Sequence, residues 1–163
     1  MHITRYTDYS LRVLIYTSVR EGELATIKDV AEHYGISRNH LMKVVHKLGT
    51  AGYLETVRGK KGGFRLAKSP EDIGVGEVVR CTEEDFNIVQ CFEPGVGRCR
   101  IESACMLQTA LHEALAAFLG VLDRYSLADL VRNQQQLSRL LDGYPLSARR
   151  DDSAGRSARK AEV

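Results

Sequence analysis

Apolar residues recur at helical spacing in three consecutive segments near the start of the chain. The first segment follows Thr7 or Asp8, either of which can cap the N-terminus of a helix. The second follows Thr26 and ends at Gly35, a residue that commonly terminates helices. The third begins after Ser37, so two capped helices flank a short glycine turn. This order of elements predicts a helix-turn-helix.

One face of the predicted third helix is apolar and the opposite face is polar and basic. At 3.6 residues per turn the apolar side chains fall within an arc of about 100°, and they are Leu41, Val44, Val45 and Leu48. The outward candidates for contact with DNA are Ser37, Arg38, Asn39, His40, Lys43 and Lys47, with His46 beside them. Asparagine can bond adenine and lysine can reach guanine or phosphate, so this face predicts a recognition helix in a major groove. The alternative is an ordinary solvated basic face.

A short β-hairpin is predicted directly after this helix. Residues 53–57 and 64–66 have the pattern of strands, and the glycine-rich turn between them contains Arg58, Lys60 and Lys61. Such a hairpin can place its cations against phosphates or into a minor groove. The order of helix-turn-helix and hairpin predicts a winged helix-turn-helix domain over residues 1–70 that binds double-stranded DNA.

The distribution of charge supports a polyanionic partner for this first half alone. Residues 1–70 contain 12 Lys or Arg against 6 Asp or Glu, a net charge of +6. Residues 71–146 contain 6 against 12, a net charge of −6. A basic half attracts a nucleic acid, whereas an acidic half repels one.

The acidic half is predicted to be helical around a cysteine-rich loop. A short helix is expected over residues 73–81, and a long one from Ser103 to about Asp123. The long helix has an apolar seam at alternating three- and four-residue spacing: Ala104, Leu107, Leu111, Leu115, Phe118 and Leu122. We expect the same helix of a second chain to cover this seam, which predicts a two-fold homodimer and a palindromic operator. Packing within one chain is the alternative.

The predicted fold is therefore mainly α with a small β-hairpin. We expect a winged helix-turn-helix domain at 1–70, an acidic helix and cysteine cluster-binding loop at 71–102, and a dimerisation helix with a C-terminal helical segment at 103–146. Residues 147–163 are mostly Ser, Ala, Arg and Asp, with almost nothing to bury, and are expected to form a disordered tail.

Three of the four cysteines, Cys91, Cys99 and Cys105, lie within 15 residues of one another. Thiolates are the ligands that soft metals and iron–sulfur clusters prefer, and the loop between the cysteines is too polar and glycine-rich to bury them. Three thiolates leave such a site one ligand short, so we expect the fourth ligand from elsewhere. Cys81 lies outside the loop, and a small core residue is its simpler interpretation. Buried cysteines, or zinc binding with a thiol switch, remain alternatives.

No segment has the composition of a membrane span or of a secretory signal, so we expect a cytoplasmic protein with no membrane partner. In that compartment thiols stay reduced, which favours metal binding over disulfides. The sequence shows no nucleotide-binding glycine motif, Ser-His-Asp order or carboxylate pair in a recognisable context, so no catalytic residues and no enzyme are predicted.

Several of these motifs together resemble the Rrf-type family of winged-helix transcriptional regulators, and within it the branch of nitric-oxide-sensing repressors. The resemblance covers residues 1–142 and is based on four stretches: residues 1–16, residues 35–40, residues 57–63 and the three-cysteine loop. Each stretch is modest alone, but their combination is specific.

The resemblance implies an iron–sulfur cluster as cofactor, of the 4Fe–4S type first and the 2Fe–2S type as alternative. In that branch three loop cysteines and a carboxylate from the first helix of the other subunit hold the cluster, which here implies Cys91, Cys99, Cys105 and Asp8 of the partner chain. It further implies a repressor that loses DNA binding when nitric oxide nitrosylates the cluster.

A related branch senses iron–sulfur or redox status and takes as fourth ligand a histidine three residues after the last cysteine. That position here is Gln108, which argues against this alternative. His112 lies further along the same predicted helix and ranks behind Asp8 as a candidate ligand.

Overall fold

Seven α-helices and one β-hairpin make up the regular structure of the residues described by the computed structural model, which are 2–20, 22–93 and 99–143. The elements are α1 (Arg5–Val19), α2 (Ile27–Tyr34), α3 (Arg38–Thr50), β1 (Leu54–Val57), β2 (Gly63–Leu66), α4 (Val75–Thr82), α5 (Met106–Leu122), α6 (Leu127–Leu130) and α7 (Gln134–Gly143). Single 3-10 turns occur at Pro70–Asp72, Gln90–Phe92 and Glu102–Ala104. The prediction of a mainly helical chain with a small hairpin is confirmed.

Helix α1 begins earlier than its sequence suggests. Thr4, not Thr7 or Asp8, is the N-cap, and its hydroxyl accepts a hydrogen bond from the backbone N–H of Thr7. Thr7 is instead fully buried, and its own hydroxyl meets that of Thr82 on α4. The predicted cap was wrong because packing against α4, which local sequence does not reveal, draws Thr7 into the interior.

The predicted helix-turn-helix is present at α2 and α3. Thr26 and Asp29 form a reciprocal capping box at the start of α2, and Gly35 ends that helix in the left-handed conformation with φ 63°. Ser37 occupies the N-cap position of α3 but makes no side-chain hydrogen bond there. The position of the cap was therefore predicted correctly, and its hydrogen bond is absent.

One apolar core joins α1, α2, α3 and the hairpin. The four predicted inward side chains of α3 are no more than 5% exposed: Leu41, Val44, Val45 and Leu48. Phe64 of β2 is 2% exposed and exchanges two backbone hydrogen bonds with Ala25, at 2.9 and 2.8 Å. This bridge fastens the hairpin to the helical core, while the strands pair with each other from Leu54 opposite Leu66 to Val57 opposite Gly63.

Helix α5 stands apart from this core. Ser103 was predicted to cap it, but Ser103 lies in the preceding 3-10 turn, and Cys105 holds the N-cap position. None of the described side chains of α5 is classed as buried. Within the described residues no helix combines the length and apolar character that crossing a bilayer requires. The predicted tail, 147–163, lies outside the described residues.

A bidentate ion pair joins the end of α5 to α4. The two terminal nitrogens of Arg80 lie 2.5 and 2.7 Å from the carboxylate oxygens of Asp123. The hydrogen bonds from Arg80 hold the pKa of the Asp123 carboxyl below its usual range. Gly76 lies beneath the pair, and a Cβ at this position would collide with Asp123 Oδ1. The pair therefore requires a residue without a side chain at position 76.

We predict that Gly76→Ala opens this ion pair and raises the pKa of Asp123 toward its ordinary value of about 3.9. A carboxyl with a lowered folded-state pKa adds stability that is complete above the unfolded-state pKa and is lost as the pH falls through the folded-state value. The variant should therefore lose the part of its free energy of unfolding that depends on ionisation of the Asp123 carboxyl. Carboxyl titration by NMR measures the shift. Gly49→Ala is the matched control, because the nearest atom to its Cβ, at 3.7 Å, leaves ordinary room. An unchanged Asp123 pKa in Gly76→Ala would contradict the prediction.

Candidate DNA-binding surface and cysteine loop

The outward face of α3 is fully available to a partner. All the side chains predicted to contact DNA on this helix are exposed: Ser37, Arg38, Asn39, His40, Lys43 and Lys47. No Asp or Glu occurs between Arg38 and Thr50, so nothing on the helix itself neutralises its cations. Arg38 is partly balanced from outside, because its guanidinium lies 3.6 Å from the Glu32 carboxylate. The face is positively charged and rich in hydrogen-bond donors, as contact with a major groove requires.

The hairpin turn carries the other predicted DNA contacts. Arg58, Lys60 and Lys61 are all exposed at its tip. Gly59 has φ 119°, a conformation that favours glycine, and its carbonyl accepts the N–H of Gly62 at 2.9 Å. Because a Cβ at Gly62 would collide with backbone carbonyls, two glycines fix the turn that presents these cations. The hairpin hereafter is called the wing, and α3 with the wing the DNA-binding surface.

Two tyrosines connect α1 with the DNA-binding surface. The Tyr6 hydroxyl donates to the backbone carbonyl of Lys43 at 3.2 Å, and the Tyr9 ring lies 6.3 Å from that of His40. Partial burial raises the pKa of the Tyr6 phenol, which keeps it protonated and able to donate. The turn of α1 that contains Asp8 therefore touches α3 on both sides of that residue.

Asp8 lies on the surface of the first turn of α1. Its carboxylate is 2.9 Å from Nε of Arg12, and both side chains are less than half exposed, at 44% and 42%. The Arg12 guanidinium in turn lies 5.6 Å from the centre of the Tyr34 ring on α2. Asp8 does not cap the helix, so in this chain its visible role is the ion pair. Its side chain is partly exposed to solvent.

A buried polar junction ties α1 to the end of α4. The hydroxyls of Thr7 and Thr82 are 2.9 Å apart, and Thr82 donates to the carbonyl of Val78 at 2.8 Å. Next to them, the backbone N–H and hydroxyl of Thr4 both donate to Glu83, at 2.9 and 3.1 Å. The helix that contains Asp8 is thus fastened to the segment that leads into the cysteine loop.

The cysteine loop begins in the 3-10 turn Gln90–Phe92 and ends at the N-terminus of α5. All four cysteines are free thiols: Cys91 and Cys99 are exposed, while Cys105 and Cys81 are half-buried. Pro94 to Arg98, between the first two loop cysteines, lie outside the described residues. Across 2–20, 22–93 and 99–143, no three His, Cys, Asp or Glu side chains are grouped closely enough to hold a metal ion.

His112 packs against this loop through its ring. The Phe92 and His112 rings are stacked, with centroids 3.9 Å apart and planes inclined by 9°. The contact places the residue next to Cys91 against the second turn of α5. His112 therefore has a packing role that its sequence position did not suggest.

Cys81 lies on α4 and packs against the core cluster. It also lines a cleft of about 1070 Å³ between the start of α1, residues 82–88 and two apolar residues of α5, Leu115 and Phe118. Its position agrees with the simpler interpretation of a small core-edge residue.

Comparison with known proteins decides the family of this chain. The family model Rrf2, described as "Iron-dependent Transcriptional regulator", matches residues 3–133. The chain belongs to the Rrf2 family. The sequence-based resemblance is confirmed by this membership, and so is the prediction of a regulator in place of an enzyme.

Relatives within the Rrf2 family share most of their length with this chain. It is 56% identical over 142 residues to the Bacillus subtilis protein named HTH-type transcriptional regulator NsrR, covering 86% of this chain and 97% of that protein. CymR of B. subtilis, titled "the Global Cysteine Regulator", has a similar structure with TM-score 0.65 and 23% identity, covering 82% of this chain and 98% of that one. T. potens IscR gives TM-score 0.67 with 22% identity over 84% and 90% of the two chains. These two structures support the fold alone.

The contacts around α1 were missing from the sequence interpretation. Tyr6, Thr4 and Glu83 carried no recognisable signal, because their partners lie 37 and 79 positions away in the chain. Thr7 was singled out for a cap and turned out to belong to a buried hydroxyl pair. If Thr and Ser are counted with the apolar residues of α1, Thr7 and Ser10 are predicted to face inward. Both are fully buried.

We predict that Thr82→Val destabilises the fold by about 1 kcal/mol, because it removes the hydroxyl that pairs with the buried Thr7 hydroxyl and leaves Thr7 only the Thr4 hydroxyl, 3.2 Å away. Thr7→Val should cost less, since the Thr82 hydroxyl keeps its bond to the Val78 carbonyl. Thr17→Val serves as matched control: Thr17 is also buried, but its hydroxyl donates within α1 to Val13 at 2.7 Å. Urea denaturation measures all three. Equal losses for Thr82→Val and Thr17→Val would show that the junction contributes nothing specific.

Proposed function

We propose that the chain is an iron–sulfur-cluster-dependent repressor of transcription that senses nitric oxide and releases its operator when the cluster is nitrosylated. The observation that carries this proposal is the concentration of three free thiols in one loop of a chain from a family described as iron-dependent regulators. The high identity to a protein named NsrR over nearly its whole length supports the choice of branch.

Operator binding would use the DNA-binding surface of each subunit. The exposed polar face of α3 suits direct contact with base edges, and the wing cations Arg58, Lys60 and Lys61 suit phosphates or a minor groove. Two subunits related by a two-fold axis would present two such surfaces and select a palindromic double-stranded operator.

A homodimer is favoured by the unpaired apolar surface of α5. Met106 and Leu107 at its start are 77% and 65% exposed, and Val121 near its end is 41% exposed. Exposed large apolar side chains at both ends of one helix are typical of an interface that a partner covers. A second copy of the chain is the simplest partner, because it supplies the same helix and the Asp8 carboxylate that the cluster site needs.

The donor set suits an iron–sulfur cluster, with a 4Fe–4S cluster as our first choice. Cys91, Cys99 and Cys105 would supply three soft thiolates, and Asp8 of the other subunit a hard oxygen ligand at the remaining iron. When bound, such a cluster would supply iron with which nitric oxide can react. Oδ1 of Asp8 accepts from Nε of Arg12, so the second carboxylate oxygen would be the one offered to the cluster.

Ligation by Asp8 has a direct route to the DNA-binding surface. Tyr6 and Tyr9, on either side of Asp8, contact the backbone of Lys43 and the ring of His40. Movement of the first turn of α1 would therefore shift α3. The differential contacts that Asp8 makes with and without the cluster would supply the free energy of the switch.

The decisive test is anaerobic purification followed by iron and sulfide analysis, with DNA binding measured before and after addition of nitric oxide. We expect a brown protein that selects a palindromic sequence from random duplexes and loses affinity for it after treatment. Alanine at Cys91, Cys99 or Cys105 should abolish the cluster, whereas the matched control Cys81→Ala should retain it. A colourless protein containing zinc would support the thiol-switch alternative and contradict the proposal.

Asp8→Ala tests the intersubunit ligand directly. We expect the variant to keep iron and sulfide on three thiolates, to change its absorption spectrum, and to bind the operator only as well as cluster-free protein does. Arg12→Ala is the matched control, since it removes the same ion pair but keeps the carboxylate, and its cluster spectrum should stay that of the wild type. If Asp8 serves only the half-exposed ion pair, its loss should cost no more than about 0.5 kcal/mol. An unaltered spectrum together with unaltered operator affinity would then exclude the switch.

A further inference from the structure

Met42 is an apolar side chain in the middle of the polar face of α3. Among the large apolar residues between positions 22 and 70, all of which the structure describes, Met42 and Val57 are the most exposed, at 51% and 36%. The polar neighbours of Met42 along the helix face, at positions 38, 39 and 46, are Arg38, Asn39 and His46, and all are exposed. An exposed methionine there belongs to the surface that meets the partner.

The chemistry of the methionine side chain limits the groups that Met42 can contact favourably. The partner of α3 is anionic, since the helix contains three Lys or Arg and no Asp or Glu. A thioether carries no charge and donates no hydrogen bond, so Met42 contributes nothing to the binding of phosphates. Its favourable contact must be with an apolar group. In a major groove the apolar group on the base edges is the C5-methyl of thymine.

We propose that Met42 is a specificity-determining residue that covers the C5-methyl group of one thymine in each operator half-site. The inference rests on the proposed binding of α3 in a major groove. It adds the recognition of one further base, which the polar residues of α3 do not identify. The unbranched, polarizable side chain can adjust to a methyl group between the hydrogen bonds made by Asn39 and Lys43. Contact of Met42 with deoxyribose alone is the competing outcome.

The test removes the C5-methyl group of each thymine from the DNA and, separately, the Met42 side chain from the protein. Cluster-loaded wild-type dimer first selects an operator from random duplexes. Each thymine is then replaced by deoxyuridine, which lacks only the methyl, and affinity is measured by fluorescence anisotropy at one salt concentration. At one thymine in each half-site we expect this replacement to lower the affinity of the wild type roughly three- to fivefold. That factor corresponds to the free energy of burying one methyl group.

Met42→Ala should bind thymine and deoxyuridine equally at that position, while Met42→Leu should keep the methyl dependence. Val57→Ala, which removes the exposed apolar side chain at the end of β1, should keep the methyl dependence of the wild type at every thymine. Lys43→Ala should weaken binding to both duplexes by the same factor. Melting temperatures of all variants should match the wild type, because each residue is on the surface.

Two failures are distinguishable in this experiment. In the first, the wild type selects an operator, but each deoxyuridine lowers the affinity of Met42→Ala by the same factor as that of the wild type. The contact with thymine is then excluded, while DNA binding stands. If no sequence is selected at all, the proposed DNA-binding function fails and the role of Met42 falls with it.

Discussion

The packing of α1 is the constraint on which the rest of the chain depends. This helix contacts α3 and β2 on one side and α4, α6 and α7 elsewhere. Its buried face combines apolar residues with hydroxyls, so Leu14 and Thr7 are both fully buried. Asp8 therefore lies on a helix that is packed against both α3 and α4, the helix that precedes the cysteine loop. Close packing of this kind transmits strain.

Two surfaces of opposite character remain after the core is formed. One is basic and lies on α3 and the wing, where the absence of acidic residues on α3 keeps the cations available. The other is apolar and lies on α5, which the Arg80–Asp123 pair helps to fasten to α4. Charged side chains are well solvated without a partner, whereas exposed large apolar side chains, such as Met106 and Leu107, are typical of an interaction site.

The proposed cluster ligands also come from two different parts of the molecule, the cysteine loop and α1. The loop cysteines are close in sequence, yet the described residues show no ready-made metal group within one chain. In the proposed function the fourth ligand would come from a second chain. Such a site would couple assembly, cluster binding and the position of α1. The stacked rings of Phe92 and His112 would hold one edge of it against α5.

The sequence by itself determined the elements whose signals are local. Periodic apolar positions located the buried face of α3, and short-range chemistry placed the capping box at Thr26 and the left-handed stop at Gly35. The basic turn of the wing was equally visible, because glycines and cations are adjacent there. These features need no knowledge of the rest of the chain, since a helix cap or a hairpin turn is satisfied within a few residues.

The tertiary structure alone decided which polar residues are buried and which distant residues pair. Thr7 became part of a buried pair with Thr82, 75 positions away, so that Thr4 took over the cap. The ion pair between Arg80 and Asp123 spans 43 positions. Contacts over such separations depend on how whole elements pack, and a residue's own neighbours in sequence contain no record of that packing.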